Sequence, residues 1–152
     1  GIRAIDFLLR AQQRIEQGAA VEEVVLAELG KRRIYGYGRP INSTDERIPW
    51  LMKLARELGL GDGPHVRLAF EVERILVSRR AQLKMNYAAL HAALVADMGL
   101  SAREYQLLRI PTFLAGMPPC VVDAAEKPEG SLFPMPCDAI AYEGVGRRNW
   151  RT

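Results

Sequence analysis

Residues 85–98 constrain the fold more than any other stretch of the sequence. They are nearly all small or apolar from Met85 to Met98, with His91 and Asp97 as the exceptions. A helix that is apolar on most of its sides has to be buried, so other helices must surround it. We therefore expect a helical core built around this stretch, with His91 as a hydrogen-bonded residue in that core.

Apolar residues recur at helical spacing in five further segments. The spacing predicts helices over 2–17, 20–30, 45–58, 64–79 and 101–110. Ser43 with Glu46, and Ser101 with Glu104, have the spacing of a capping box at a helix start. Pro111 and the glycine- and proline-containing run 116–120 predict breaks after residue 110. Strand patterning is weak throughout, so the predicted fold class is all-α.

Length and charge indicate one helical domain of ordinary size. At 152 residues a sizeable core can form, and we expect it over 1–127, followed by an extended tail over 128–152 that is rich in proline and glycine. Basic residues outnumber acidic ones by 21 to 18. Because the two signs are interspersed, as on solvated helix faces, we do not expect nucleic-acid binding.

The sequence contains no pattern typical of a membrane-spanning segment, a metal site or a disulfide framework. No apolar run reaches a membrane span and no signal peptide is visible, so we expect a cytoplasmic protein. Cys120 and Cys137 are too few for a disulfide framework, no His/Cys cluster predicts a metal, and we expect both thiols to be packed. The chain opens at Gly1 inside a predicted helix, so we expect a processed chain or a fragment.

The loop Gly36-Tyr37-Gly38-Arg39-Pro40 is the strongest candidate for a binding site. Glycine lets the backbone approach a ligand closely and adopt positive φ, and arginine complements carboxylates and phosphates. The loop leads into a helix start, a common arrangement at sites for anions or acyl groups. On the local pattern alone, an ordinary loop between helices is the better explanation of the same residues.

The order of these segments resembles the C-terminal part of the citrate synthase superfamily, which includes citrate synthases and citryl-CoA lyases. Gly36-Tyr37-Gly38 is similar to the family's GFGH or GYGH loop, Asp45-Glu46-Arg47 to its DPR-type triplet, and Met85-Asn86-Tyr87-Ala88 to its Asn-Val-Asp motif. Residues 136–142 are similar to the family's closing segment. The resemblance covers nearly the whole chain, but only the second half of a full family member. It implies a citrate synthase-like helical fold that includes the small CoA-binding domain.

The resemblance also implies that the catalytic site is altered. In the family a base removes a proton from the acetyl methyl group of an acyl-CoA, a histidine donor stabilises the enol oxygen, and arginines hold the dicarboxylate. At the matching positions this sequence has Arg39 in place of the loop histidine, Ala88 in place of the aspartate base and Gly116 in place of the arginine of the later helix. Arg47 and Asn86 remain as candidate substrate-binding residues.

Alanine accepts no proton and arginine is not a proton shuttle at neutral pH, so the resemblance implies a remodelled or defective site. The remaining catalytic candidates are Arg39 and His91, which lies three residues beyond Ala88. The family's loop contacts CoA through main-chain groups, so CoA binding is expected to persist at Gly36, Tyr37, Gly38 and Arg39. CoA or acyl-CoA is expected as a ligand and not as a permanently bound cofactor.

Three functions stay open at this point. The first is a homologue that binds CoA or acyl-CoA, and a citrate- or oxaloacetate-like carboxylate, without family turnover. The second is an active enzyme that makes or breaks a carbon–carbon bond beside the thioester, using other residues or a partner chain. The third is a helical interaction subunit with no ligand. The resemblance further implies a homodimer, or a partner that supplies a missing N-terminal half.

Overall fold

The computed structural model describes residues 1–31, 33–38, 44–79 and 83–127. The helices in these ranges are α1 (Ile2–Glu16), α2 (Val21–Lys31), α3 (Arg47–Glu57), α4 (Pro64–Arg79), α5 (Tyr87–Asp97) and α6 (Ala102–Ala125). Within the described ranges no strand forms, and one isolated antiparallel pairing joins Tyr37 to Met85. The all-α prediction is confirmed. None of these helices combines the length and the apolar character that crossing a membrane requires.

Close contacts between Cα atoms divide the chain into two compact units, residues 1–110 and residues 111–152. We describe each unit by itself. The predicted tail over 128–152 lies outside the described residues, so the predicted boundary at residue 127 stays a prediction.

Helix α5 forms the centre of the first unit. Seven of its eleven residues are buried, and it packs most extensively against α1 and α4. The small side chains of Ala89, Ala92 and Ala93 are fully buried, which leaves room beside α5 for larger side chains of its neighbours. Leu8 of α1 and Leu76 of α4 have no exposed surface, and burying a leucine side chain contributes about 1.5–3 kcal/mol. The prediction that residues 85–98 form the helical core is confirmed.

The end of α5 caps the start of α4. The side chain of Asp97 is only 5% exposed. Its carboxylate accepts the main-chain N–H groups of His65 at 2.8 Å and Val66 at 3.0 Å, and it lies 2.8 Å from Nδ1 of His65. The first N–H groups of a helix have no intrahelical acceptor, and this carboxylate supplies one. Gly63 precedes α4, where a Cβ atom would collide with the Asp97 carboxylate.

The two predicted capping boxes have different outcomes. At the start of α6, Oε2 of Glu104 accepts from the main-chain N–H of Ser101 at 2.8 Å and lies 2.7 Å from its hydroxyl, so this box is confirmed. Helix α3 begins at Arg47, two residues later than predicted, and its N-cap position, Glu46, makes no side-chain cap hydrogen bond. Ser43 lies outside the described residues.

The predicted break after residue 110 is wrong, because α6 continues through Pro111, Gly116, Pro118 and Pro119. Each proline removes one N–H donor, but the bonds of the neighbouring residues maintain the helix. Pro111 and Pro118 deprive the carbonyls four residues earlier of a partner. Those carbonyls belong to exposed residues, Leu107 and Leu114, where water can replace the missing donor.

In the second unit, α6 carries large apolar side chains on its surface. The exposed ones are Phe113, Leu114, Met117, Val121 and Val122. Cys120 is exposed as well, since every residue from 110 to 126 is exposed in this continuous helix. The expectation that its thiol is packed is therefore wrong, and Cys137 lies outside the described residues.

Replacing the capping carboxylate should destabilise the fold. We expect Asp97→Ala to lower the free energy of unfolding by about 1–3 kcal/mol, because two main-chain N–H groups at the start of α4 lose their acceptor. Urea unfolding followed by circular dichroism measures the change. The control is Asp62→Ala, whose carboxylate is 90% exposed and pairs with Arg67 at 3.3 Å; it should change stability by less than about 0.5 kcal/mol. Equal effects of the two variants would contradict the capping role of Asp97.

Candidate functional site

Gly36, Tyr37 and Gly38, called the glycine loop below, pair with residues 84–86, which precede α5. The N–H of Gly38 donates to the carbonyl of Lys84 at 2.6 Å, and the N–H of Asn86 donates to the carbonyl of Gly36 at 2.9 Å. In an antiparallel pairing of this pattern, the main-chain N–H and C=O of the central residue, Tyr37, point away from the paired segment. The loop is therefore fixed in register, with the main-chain groups of Tyr37 directed outward.

Packing alone requires glycine at position 36. Its φ is 96°, a conformation that side chains disfavour. A Cβ atom there would also lie 2.6 Å from the Cβ of Ala89, inside the first turn of α5. This close approach between loop and helix explains Gly36 without any ligand. The same rigidity gives the loop a defined shape.

The side chain of Tyr37 is an anchor for the loop. It is 7% exposed, and its hydroxyl donates to the carbonyl of Ala69 in α4 at 3.0 Å. Burial, with a contribution from the nearby carboxylate of Glu73, raises the pKa of the Tyr37 hydroxyl above its ordinary value. Glu73 itself accepts the main-chain N–H of Met85 at 2.8 Å. The Tyr37 ring is thus buried, and its hydroxyl is bonded within the protein.

A buried carboxylate joins the start of α3 to the start of α5. Asp45 is 1% exposed and accepts Nε and Nη2 of Arg47, each at 2.8 Å. It also accepts the main-chain N–H of Tyr87 at 2.7 Å. The hydrogen bonds from Arg47 are the main cause that lowers the pKa of Asp45, supported by the main-chain donors and opposed by burial. This Asp45–Arg47 pair fixes the predicted substrate arginine beside the first turn of α5.

Both the oxygen and the nitrogen of the Asn86 side-chain amide make hydrogen bonds within the chain. Its Oδ1 accepts the N–H of Ala88 at 3.0 Å and so caps α5, while Nδ2 donates to the carbonyl of Gly38 at 3.1 Å. Asn86 therefore connects the glycine loop to the helix start. Its predicted role in substrate binding stays a prediction, and the contacts give it a structural role in addition.

A series of stacked side chains extends from the Asp45–Arg47 pair along α5. The guanidinium of Arg47 lies 5.0 Å from the ring centre of Tyr87, and the Tyr87 ring stacks on His91 at 5.4 Å. The ring centre of His91 in turn lies 5.3 Å from that of Tyr105, and the guanidinium of Arg109 lies 5.8 Å from the ring centre of Tyr105. Such contacts between cations and aromatic rings contribute about 0.5–1 kcal/mol each at exposed sites.

Within this series His91 is half-buried and hydrogen-bonded, with its Nδ1 atom 3.1 Å from the Tyr105 hydroxyl. Partial burial is the main cause that lowers the pKa of His91, and the positive charges of Arg109 and of the chain's amino terminus act in the same direction. Burial raises the pKa of the Tyr105 hydroxyl. The expected hydrogen bond of His91 is confirmed, but the side chain is only half-buried and is not part of the core. A catalytic role for His91 stays a prediction.

Basic and aromatic side chains also lie next to the glycine loop. The guanidinium of Arg3 is 4.9 Å from the ring centre of Tyr35, and its Nη1 atom donates to the Tyr35 hydroxyl. Tyr35, directly before Gly36, is 40% exposed. Lys31 and Arg33 are exposed just before it. Arg39, the predicted CoA and catalytic residue, lies outside the described residues.

The space beside the Asp45–Arg47 pair is small. A cavity of about 210 Å³ is lined by Thr44, Asp45, Ile48, Pro49, Glu73 and Met85. Pockets that enclose whole small-molecule ligands usually measure about 300–1,000 Å³, so this cavity is too small for CoA. Among the described residues no group of three or more histidine, cysteine or acidic side chains is placed to hold a metal ion.

The structure brings together most of the residues that the sequence singled out. The glycine loop, Arg47, Asn86 and Ala88 all meet around the start of α5 through the contacts above. Sequence reasoning missed Asp45 as the buried partner of Arg47, although the residue lies in the quoted triplet. It also missed Tyr105 and Arg109 of α6, whose side chains lie near His91 in the folded chain. No spacing in the sequence indicates this.

Comparisons with known proteins support the fold. The chain is similar to the solved structure of citryl-CoA lyase from Hydrogenobacter thermophilus, with a TM-score of 0.67 and 23% sequence identity. The similarity covers 99% of this chain and 59% of that chain. The predicted citrate synthase-like, all-α fold is thereby confirmed. No protein-family model matches the sequence, and no curated protein matches it.

The stability that Asp45 contributes should depend on pH. Its folded-state pKa lies below the ordinary value of about 3.9, so its contribution is complete at neutral pH and declines as the pH falls below about 4. We expect Asp45→Asn to lower the free energy of unfolding by about 1–3 kcal/mol at pH 7, because the partly exposed Arg47 loses its ionic partner. The difference from the wild-type protein should shrink at pH 3.

Urea unfolding at pH 7 and pH 3 measures both values. Glu71→Gln is the matched control, since it removes an exposed carboxylate that pairs with Arg74 at 2.5 Å. It should change stability by less than about 1 kcal/mol. A difference between Asp45→Asn and wild type that is the same at both pH values would contradict the role of the Asp45 charge.

Proposed function

We propose that the chain binds CoA or an acyl-CoA at Gly36, Tyr37, Gly38 and Arg39, and a di- or tricarboxylate at Arg47. The observation that carries the proposal is the meeting of three segments at the start of α5. Main-chain hydrogen bonds tie the glycine loop to residues 84–86, and the Asp45–Arg47 pair binds the N–H of Tyr87. The proposal assigns the glycine loop to the nucleotide part of the ligand and Arg47 to its carboxylate, with both next to the start of α5.

The charge around the glycine loop suits the phosphates of CoA. Two exposed basic residues, Lys31 and Arg33, shortly precede the loop in the sequence, and Arg39 follows it directly. The exposed Arg3 contacts the ring of Tyr35, the residue before Gly36. Arginine presents a planar fork of donors that matches phosphate oxygens. The outward main-chain groups of Tyr37 add hydrogen-bonding capacity that does not depend on a particular side chain.

Arg47 retains capacity for a carboxylate ligand. Asp45 takes the Nε proton and one proton of Nη2, which is two of the five N–H groups of the guanidinium. The side chain of Arg47 is 58% exposed, so the remaining donors face solvent. The solved relative carries citryl-CoA lyase in its name, which makes citryl-CoA and citrate the first ligands to test.

The proposal includes a remodelled site without family turnover. Ala88 presents a methyl group on α5, at the position where the resemblance places an aspartate base. A methyl group takes no proton, and general acid–base catalysis supplies about 10²–10⁴-fold in rate. An active lyase or synthase that uses His91 is the second candidate, favoured by the position of His91 three residues beyond Ala88 on the same helix.

A helical interaction subunit is the third candidate, and the exposed apolar side chains of α6 in the second unit favour it. Apolar patches of this kind mark contact surfaces. The expected homodimer or partner chain stays a prediction, which sedimentation equilibrium of the purified protein tests directly.

Calorimetric titration of CoA tests the main proposal. We expect saturable binding that weakens about tenfold in Arg39→Ala, since a charge-assisted hydrogen bond to phosphate contributes about 1.5–3 kcal/mol. Arg14→Ala is the matched control: it removes the same charge from an exposed position of α1, and it should bind CoA like the wild-type protein. Citrate, titrated separately, should lose affinity in Arg47→Ala.

The outcomes separate the three functions. Binding of CoA without turnover of citryl-CoA, or of acetyl-CoA with oxaloacetate, supports the proposal. Turnover by the purified protein would favour the active enzyme. An absence of binding at millimolar CoA would contradict the proposal and favour the interaction subunit.

A further inference from the structure

The contacts of His91 determine which of its nitrogen atoms carries the proton. Nδ1 lies 3.1 Å from the hydroxyl of Tyr105. Tyr105 is 1% exposed, and burial raises the pKa of its hydroxyl, so the phenol is protonated at neutral pH. A buried hydroxyl proton needs an acceptor. The acceptor that the described residues offer it is Nδ1 of His91.

That hydrogen bond constrains the whole imidazole. If Nδ1 accepts from Tyr105, it carries no proton, and the neutral ring carries its single proton on Nε2. The other tautomer, and the doubly protonated ring, would turn Nδ1 into a donor and leave the Tyr105 hydroxyl proton without a partner. Leaving a buried donor unpaired disfavours those forms by roughly tenfold or more.

The second nitrogen atom of His91 faces outward. No hydrogen bond to Nε2 forms within the described part of the chain, and no buried polar side-chain atom there lacks a partner. Nε2 is therefore open to solvent. Residues three apart share a helix face, so His91 presents this N–H on the same side of α5 as Ala88.

We infer that His91 is a hydrogen-bond donor, through Nε2–H, to the thioester carbonyl oxygen of an acyl-CoA, and that Tyr105 is the positioning residue that fixes this donor. The ligand in this inference rests on the proposed function. His91 in this form replaces a carbonyl-polarising donor and not a base, because its lone pair is engaged by Tyr105. On this face of α5 the site then has a donor for the acyl oxygen, while Ala88 offers no group that removes a proton from the acyl methyl group.

The surroundings of His91 support a neutral donor. The ring of Tyr87 stacks on the imidazole, and the ring of Tyr105 lies tilted beside it. Partial burial and the positive charge of Arg109 of α6 both disfavour an imidazolium. A neutral N–H donor suits an uncharged carbonyl oxygen, whereas the exposed donors of Arg47 suit a carboxylate.

Nitrogen-15 NMR of the histidine side chains tests the donor assignment without any ligand. The chain contains only two histidines, so His91→Gln identifies the His91 signals and His65 serves as the internal reference. We expect His91 at pH 7 to be neutral with its proton on Nε2, and we expect Tyr105→Phe to produce a mixture of the two tautomers. A proton on Nδ1, or an imidazolium at pH 7, would overturn the inference.

Titration with acetyl-CoA and with CoA tests the acyl oxygen. We expect acetyl-CoA, but not CoA, to shift the Nε2–H signal of His91. Affinity for acetyl-CoA should fall about threefold to tenfold in His91→Ala, with CoA affinity unchanged. His91→Gln keeps an N–H donor and should recover part of the loss, whereas His91→Glu offers only an acceptor and should not.

Failure of this inference and failure of the proposed function give different results. If CoA and acetyl-CoA bind with no difference at His91, the carbonyl contact is wrong while the CoA site stands. If neither ligand binds, the CoA site and its acyl ligand both fail, and the tautomer measured without ligand still decides whether His91 is a donor. Proton exchange from the acetyl methyl group that depends on His91 would make it a base and overturn the inference.

Discussion

The site depends on one buried carboxylate. Asp45 has almost no exposure, yet it is charged, because Arg47 donates three hydrogen bonds, two from its guanidinium and one from its main-chain N–H, and the N–H of Tyr87 donates a fourth. A buried charge is tolerated only when such partners surround it. The four donors come from the start of α3 and the start of α5, so the charge holds those helix ends in one arrangement. Arg47 thereby has a fixed position while most of its side chain remains in solvent.

The second constraint is main-chain proximity. Gly36 packs so closely on Ala89 that a Cβ atom at position 36 would collide with the Ala89 side chain. The loop pairs with residues 84–86 through main-chain hydrogen bonds, which do not depend on the side chains present. Ligand contacts made by such a loop survive the exchange of nearby side chains. The same close packing and main-chain pairing also stabilise the fold around the start of α5.

The arrangement along α5 gives each polar group a different chemistry. Arg47 presents charged donors, His91 presents a neutral imidazole and Ala88 presents a methyl group. Tyr105 and Arg109 set the state of His91 from a neighbouring helix, through a hydrogen bond and through charge. The group therefore combines donors for oxygen atoms with a methyl group at position 88.

Apolar periodicity predicted the helical class, five of the six helices to within a few residues, and the burial of α5, because it reflects which face of each helix meets the core. Local motifs and the resemblance also singled out Gly36, Arg47 and Asn86, although Gly36 and Asn86 make their contacts with residues far along the chain. It failed for α6, since three prolines and a glycine predict breaks that an exposed helix tolerates. Only the tertiary structure decided that Asp45 is buried and that Tyr105 and Arg109 meet His91. Those contacts join residues far apart in the chain, and local spacing contains no information about which distant side chains pack together.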